Sequence, residues 1–412
     1  MKSSITYIFS VLFAFSTALL FHSANAAYIF SVLSDISFNI SVFVLIPLLV
    51  FSLTSSVASL RRDNMAFSSF KRILLCSVAT TLLSVAVAAI LFALLPSSFP
   101  VTSSAGGSGS IYSDYAISSL LRAVDNLSPA NPFYTIAVSA SYVVPLILIC
   151  IFFGYFFKPS SDAIRPAFAV MNSFSEVMMK ISRAFFSYGY IALYFMSVSM
   201  FITLLNDATI LVRPSFFLSL ALLFFAVLAV SVISFAIYTK GKENPFRILY
   251  RCLAVLISSL MTGSNVFTMP LSYTASRMNC GVQKKIGNFS VSVSYILAKG
   301  GSAAFSLFTA LSLYKAIGFE TGTSFILETA CFAFLFSFIS FLTPSLEVLL
   351  IPVLIAAVTG NSFFGAESSL LSILMLVNGM ACALDAVISL FITKAISIKS
   401  GSDITVAGRD TL

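Results

Sequence analysis

A chain of 412 residues is long enough for two or three soluble domains, but 59% of it is hydrophobic, 9% is charged and the mean hydropathy is +1.02, a membrane-protein composition. Lys and Arg outnumber Asp and Glu by 23 to 15, a net charge of +8. The excess is scattered between apolar runs and not gathered into the basic stripe of a nucleic-acid binder, so no nucleic-acid partner is expected. One histidine, His22, and six cysteines without a C-x-x-C pair exclude a His-dependent triad and a zinc site. Gly106-Gly107-Ser108-Gly109 follows no strand and opens no helix, so it reads as a flexible loop and not a phosphate cradle. No enzymatic activity, metal or cofactor is expected.

In chain order, Lys2, an apolar run and Ser23-Ala24-Asn25-Ala26 look like a secretory signal with its cleavage site. The parity of the spans that follow favours a retained first helix instead. Further apolar segments run over 38–60, 73–96, 133–157, 184–206, 214–238, 286–314 and 367–393, each near the ~20 residues that cross a bilayer core. Two other apolar stretches, 250–275 and 322–358, are interrupted by Pro, Gly, Ser and Asn and predict re-entrant hairpins. The expectation is an all-α polytopic membrane protein with eight transmembrane helices and two re-entrant helical hairpins.

Arg61, Arg62, Lys71, Arg72, Lys158, Arg165, Lys240, Lys242, Arg247, Arg251, Arg277, Lys284 and Lys285 all fall inside if both termini are cytoplasmic. The loop at 97–131, with Arg122 against Asp114 and Asp125, then lies outside with Asp207 and Glu320. A bacterial cytoplasmic (inner) membrane is the expected location. Glu176, Lys180 and Arg183 are read as a helix entrance at the cytoplasmic interface, where long basic side chains snorkel.

Two broken apolar hairpins entering from opposite faces can aim helix-terminal N–H groups at an anion near the midplane. Pro270 and Pro344 occupy comparable places in the two, where a helix must stop or restart. Gly and Pro that merely punctuate ordinary helices would read the same way.

Five stretches stand out in order along most of the chain: Leu45-Ile46-Pro47-Leu48-Leu49-Val50-Phe51-Ser52-Leu53, Ser128-Pro129-Ala130-Asn131-Pro132-Phe133, Ser175-Glu176-Val177-Met178-Met179-Lys180-Ile181, Thr262-Gly263-Ser264-Asn265-Val266-Phe267-Thr268-Met269-Pro270 and Gly281-Val282-Gln283-Lys284-Lys285-Ile286. Together they resemble the dicarboxylate/amino acid:cation symporter family, the glutamate and aspartate transporters. In chain order they look like that family's second helix, the entry to its fourth, the start of its fifth, the tip of the first hairpin and the opening of helix seven. The resemblance implies the glutamate-transporter-homologue fold, with inverted-topology repeats, and a homotrimer in the lipid bilayer. Residues 1–245 would form mainly the scaffold, 246–396 the transport core that moves like a lift, and 397–412 a cytoplasmic tail.

By the same resemblance, the substrate-binding positions are Ser264, Asn265, Thr268, Ser302, Cys382, Asp385 and Ser389. Where the family's helix seven coordinates sodium with N-M-D-G-T, this chain has Ala298-Lys299-Gly300-Gly301-Ser302. Helix eight has Asn378, Cys382, Asp385, Ala386, Ser389 and Thr393 at the family's functional places. Cys382 replaces the Asp that would hold a substrate amine, and Asp385 the Arg that would clamp a side-chain carboxylate. Hard cations want anionic oxygens, so Gly300 and Thr393 in place of Asp argue against sodium coupling in the family's manner and leave proton coupling open. Thr80 and Thr81 match hydroxyl positions of one ion site, although hydroxyls on membrane helices commonly bond back to their own helix.

Lys299 needs a partner, because an ammonium at the centre of an apolar helix costs about 3 kcal/mol on the insertion scale. Asp385 and Glu347 are the candidates, and these three with Thr80 and Thr81 are the ion-coupling candidates. The functional expectation is a secondary active transporter of a small amino acid or organic acid, working by an elevator-type alternating-access mechanism. A neutral or basic amino acid or an amine suits Asp385 better than aspartate does. The alternative is a non-transporting receptor, scaffold or ion-leak protein that keeps the fold.

Overall fold

The computed structural model describes residues 2–21, 23–100, 143–157, 164–206, 214–342, 347–359 and 367–401, with 118, 121, 124 and 162. Most of the loop expected outside, Pro344, the entry to the fourth span and the chain after residue 401 lie outside the described residues. The regular elements among the described residues are helices.

The N-terminal half opens with α1 (Lys2–Leu20), α2 (Ala24–Leu48), α3 (Thr54–Arg62) and α4 (Ala66–Leu94), followed by α5 (Val144–Phe156), α6 (Arg165–Asn206) and α7 (Pro214–Thr239). The small-residue run at 23–26 is a helix start: Ser23 Oγ accepts from the Ala26 N–H, the usual N-cap arrangement. α2 is therefore longer than the 38–60 expected. Pro47 within it lacks a donor, and a π-helical segment, Leu49–Leu53, follows before α3 continues the same span. α6 also begins earlier than the 184–206 expected. Its first half is amphipathic, and the polar side chains that lower its hydropathy are spent on protein contacts. Ser175 meets Ser52 (Oγ–Oγ 2.9 Å), and Ser182 donates to the Pro270 carbonyl at 2.9 Å. Glu176, Lys180 and Arg183 thus sit inside one long helix and not at its entrance.

Six described helical stretches are long and apolar enough to cross a membrane: Asn25–Arg62, Ala66–Leu94, Arg165–Asn206, Pro214–Thr239, Lys284–Ala316 and Ile373–Lys399. The other two expected spans are represented by the shorter α1 and α5. α1 is stitched to α6, with the Tyr7 hydroxyl donating to Phe186 O at 2.9 Å and Ser10 to Tyr190 O at 2.6 Å.

The C-terminal half holds α8 (Pro245–Arg251), α9 (Leu253–Thr262), α10 (Asn265–Thr274), α11 (Lys284–Leu297), α12 (Gly300–Ala316), α13 (Thr323–Ser337), α14 (Glu347–Thr359) and α15 (Glu367–Lys399). Hairpin one is α9 and α10. Its turn is Gly263, left-handed at φ 58°, then extended Ser264 capping α10 through its Oγ and the Phe267 N–H. A left-handed residue after a helix is where glycine is favoured. The break is therefore at Gly263, and Pro270 lies inside α10, contrary to its expected place at a stop: it removes one backbone donor without ending the helix. α13 and α14 are the arms expected of hairpin two.

The least apolar crossing stretch, α11 with α12, is buried over almost its whole length, as is α15, while the other crossing stretches are at most half buried. Polar side chains are costly in lipid and must face protein or a cavity, so the most polar span is the one the others enclose.

Ion pairs at one end of the bundle tie the N-terminal helices to this core. Asp63 meets Lys285 at 2.8 Å, and Glu176 meets Arg277 at 3.1 Å and Lys284 at 3.2 Å. The Lys285 hydrogen bond holds the Asp63 carboxyl below its usual 3.8. A depressed carboxylate value means that its stabilisation is complete above about pH 4 and is lost as pH falls through the lower folded value. Asp63→Asn is expected to flatten the acid limb of a stability-versus-pH curve; an unchanged limb contradicts the assignment.

Candidate functional site

The span expected over 286–314 stops at Leu297 and restarts at Gly300, with Ala298 and Lys299 between in non-helical conformation. The first amides of α12 therefore have no partner in their own helix. Asp385, on α15, supplies one: its Oδ1 accepts from the Gly301 N–H at 2.6 Å and from the Ser302 N–H at 3.3 Å. A carboxylate at a helix N-terminus gains from both the orphan donors and the helix dipole. The close approach requires glycine, since a Cβ on Gly301 would stand 2.3 Å from Ala381 O and 2.7 Å from Leu384 Cβ.

Lys299 is fully buried and its Nζ lies 2.6 Å from Glu347 Oε1, the first residue of α14. Of the two candidate partners, Glu347 makes the direct ion pair, and Asp385 joins through Ser302. The Ser302 Oγ is 2.5 Å from Glu347 Oε2 and 2.5 Å from Asp385 Oδ2. A hydroxyl has one hydrogen to donate, so Ser302 can donate to only one of the two carboxyl groups at a time. By charge alone, one lysine stands against two acids in a buried cluster, and one added proton would make it neutral.

Asp385 also lines a small cavity, about 20 Å³, with Asn265, Thr268, Ser272, Ser294, Tyr295 and Ser389 among its walls. That is room for about one water molecule. Asn265 Oδ1 and Ser294 Oγ are buried there without a hydrogen-bond partner among the described residues, and buried polar atoms are normally paired. Four of the seven expected substrate residues, Asn265, Thr268, Asp385 and Ser389, are brought together here. Ser302 is the bridge just described. Ser264 and Cys382 are engaged elsewhere, Ser264 as the α10 cap and Cys382 with its Sγ 3.4 Å from Gly263 O, beside Asn378 Nδ2 at 2.8 Å from the same carbonyl. These contacts hold the hairpin-one tip on α15.

Thr80 and Thr81 do not join the cluster. Thr80 bonds back to Cys76 O at 2.9 Å and lines a separate groove, and Thr81 is buried in α4 and is not part of the cavity wall. Glu328 is exposed on α13. Sequence reasoning missed Tyr295, whose ring lies 5.4 Å from Lys299 Nζ, and Ser294; their positions one turn before the break were the available signal. It also missed Lys394, buried on α15 with Glu243 at 3.3 Å and the Cys280 carbonyl at 2.6 Å.

The sequence profile of the sodium:dicarboxylate symporter family matches residues 4–360. The chain belongs to that family. It is an integral membrane protein of a transporter family and not an enzyme. Its relatives include human excitatory amino acid transporter 3, 21% identical over 180 residues, which cover 44% of this chain and 34% of the relative. Human neutral amino acid transporter B(0) is 22% identical over 302 residues, 65% of this chain and 55% of the relative. Human excitatory amino acid transporter 1 is 21% identical over 208 residues, 50% of this chain and 37% of the relative. The chain thus spans between about a third and about half of the length of these relatives.

Proposed function

We propose that this symporter-family chain is a secondary transporter of a small amino acid or amine, coupled to protons and not to sodium. The observation that carries the reading is the buried cluster of Lys299, Glu347, Ser302 and Asp385 at the helix break. An ammonium tethered by the chain pairs with one of two buried acids where a mobile cation would otherwise be needed, and one lysine against two acids leaves one charge that a proton can balance. Gly300 and Thr393 bring no carboxylate of their own; Thr393 Oγ1 donates to Ser389 O at 2.8 Å and lies 3.0 Å from Ser290 Oγ. The cavity beside Asp385 presents hydroxyls, an unpaired amide oxygen and a carboxylate, a wall that accepts hydrogen bonds from an ammonium better than it receives a second acid.

A cavity of about 20 Å³ admits no amino acid, so loading requires the hairpins to move. In the elevator reading, the two hairpins with α11, α12 and α15 travel as one body within a homotrimer, and the ion pairs of Asp63 and Glu176 must part when they do. A bacterial cytoplasmic membrane with both termini cytoplasmic completes the reading.

Counterflow in proteoliposomes against a panel of neutral, basic and acidic amino acids tests transport itself. Saturable exchange is expected with a neutral or basic member; none with any member favours the non-transporting alternative. Coupling is read separately: uptake should respond to an imposed pH gradient and stay unchanged when sodium is exchanged for choline at fixed membrane potential. Steep sodium dependence without a pH response rules out the proton reading.

A further inference from the structure

Away from the cluster, α4, α7 and α15 enclose an apolar groove of about 540 Å³, a volume within the range of ligand sites. Leu75, Ala79, Leu83, Phe235, Phe391 and Ile392 form its walls, and Arg72 and Lys399 stand at one end. Leu75 and Leu83 are exposed, so the groove opens sideways toward the lipid. Lys399 Nζ sits 3.5 Å over the Tyr238 ring, and neither Lys399 nor Arg72 has a carboxylate partner among the described residues.

Lys399 ends α15 and Arg72 lies in the second turn of α4, so both cations stand near the helix ends, at the level of the headgroups. From Arg72 to Leu83 the helix climbs about 16 Å at 1.5 Å per residue, roughly half of a ~30 Å hydrocarbon core. The groove is thus one leaflet deep, apolar along its length and cationic at its mouth.

We infer that this groove is a binding site for one anionic phospholipid, with an acyl chain along α4 and the phosphate between Arg72 and Lys399. Charge complementarity selects the headgroup, and the depth selects a lipid over a water-soluble anion. The site reaches the functional core through Ile388, which lines the groove and whose Cδ1 is 3.0 Å from where a Cβ on Gly300 would stand. A bound chain would therefore back the helix break that carries Lys299.

The test is native mass spectrometry of the full chain released from nanodiscs of equal parts phosphatidylglycerol and phosphatidylcholine. Phosphatidylglycerol is expected to stay bound in preference. The Arg72→Gln, Lys399→Gln double variant should lose about thirty-fold in that retention, at about 1 kcal/mol for each basic residue. Ala79→Phe, on an exposed position of the groove, should reduce retention of either lipid by filling the channel, and it decides the matter if the double variant does not fold. Equal retention of the two lipids, undiminished retention in Ala79→Phe, displacement by inorganic phosphate, or a lipid-free dimer in which a second copy covers the face would each overturn the assignment.

Discussion

Lys299→Met is expected to destabilise the folded protein by about 3–5 kcal/mol, the usual cost of breaking a buried ion pair by removing one partner. Methionine fills a similar apolar volume, so the loss is electrostatic: Glu347 Oε1 loses the ammonium 2.6 Å away, while Asp385 remains joined to the same carboxyl through Ser302. Denaturant unfolding in detergent measures it. The double variant Lys299→Met, Glu347→Gln should recover at least half of the loss, because charge and partner disappear together. It should also be folded yet unresponsive to a pH gradient, since the proton site has lost one of its two acids. A single variant as stable as the parent would show that Lys299 is not holding the cluster together, and a double variant that still couples to pH would remove this pair from the mechanism.

Gly301→Ala is expected to cost about 3 kcal/mol or more, the upper range for overpacking a close-fitted site, and to abolish transport. The added methyl would meet Ala381 O at 2.3 Å, Leu384 Cβ at 2.7 Å and Asp385 Oδ1 at 3.0 Å. A backbone carbonyl cannot swing aside, so α12 must draw back from α15 and the 2.6 Å bond from the Gly301 N–H to Asp385 must open. Gly322→Ala is the control. That residue precedes α13 with nothing within 4 Å of its Cβ position, and the change should cost less than about 1 kcal/mol. Equal effects at the two glycines would mean that the approach of α12 to α15 is not what makes Gly301 necessary.

Legibility differed from element to element. The run over 214–238 was readable almost residue for residue, since α7 spans Pro214–Thr239, and the hairpin-one turn was marked by Gly263 and Ser264, a helix stop followed by a helix start. α6 was half missed. Its first half buries Ser175 and Ser182 against neighbouring helices, and a hydropathy window counts a serine as polar wherever it points. Pro270 misled for the opposite reason: proline announces a lost hydrogen bond, and a helix pinned by Ser182 and by its own N-cap tolerates that loss.

The site was legible as a requirement and not as an arrangement. A lone lysine in an apolar helix demands an acid, and Asp385 and Glu347 were the acids within reach of the family pattern. Tertiary structure decided that Glu347 takes the direct bond, that Asp385 caps α12 and that Ser302 links them. What the sequence by itself determined is local in origin: membrane class and most span positions follow from apolar run lengths set by bilayer thickness, the hairpin-one turn from a glycine required by backbone sterics, and the family from short motifs. The cluster joins residues 48 and 84 positions apart, and whether such side chains meet depends on how α12, α14 and α15 pack against one another, which no periodicity encodes.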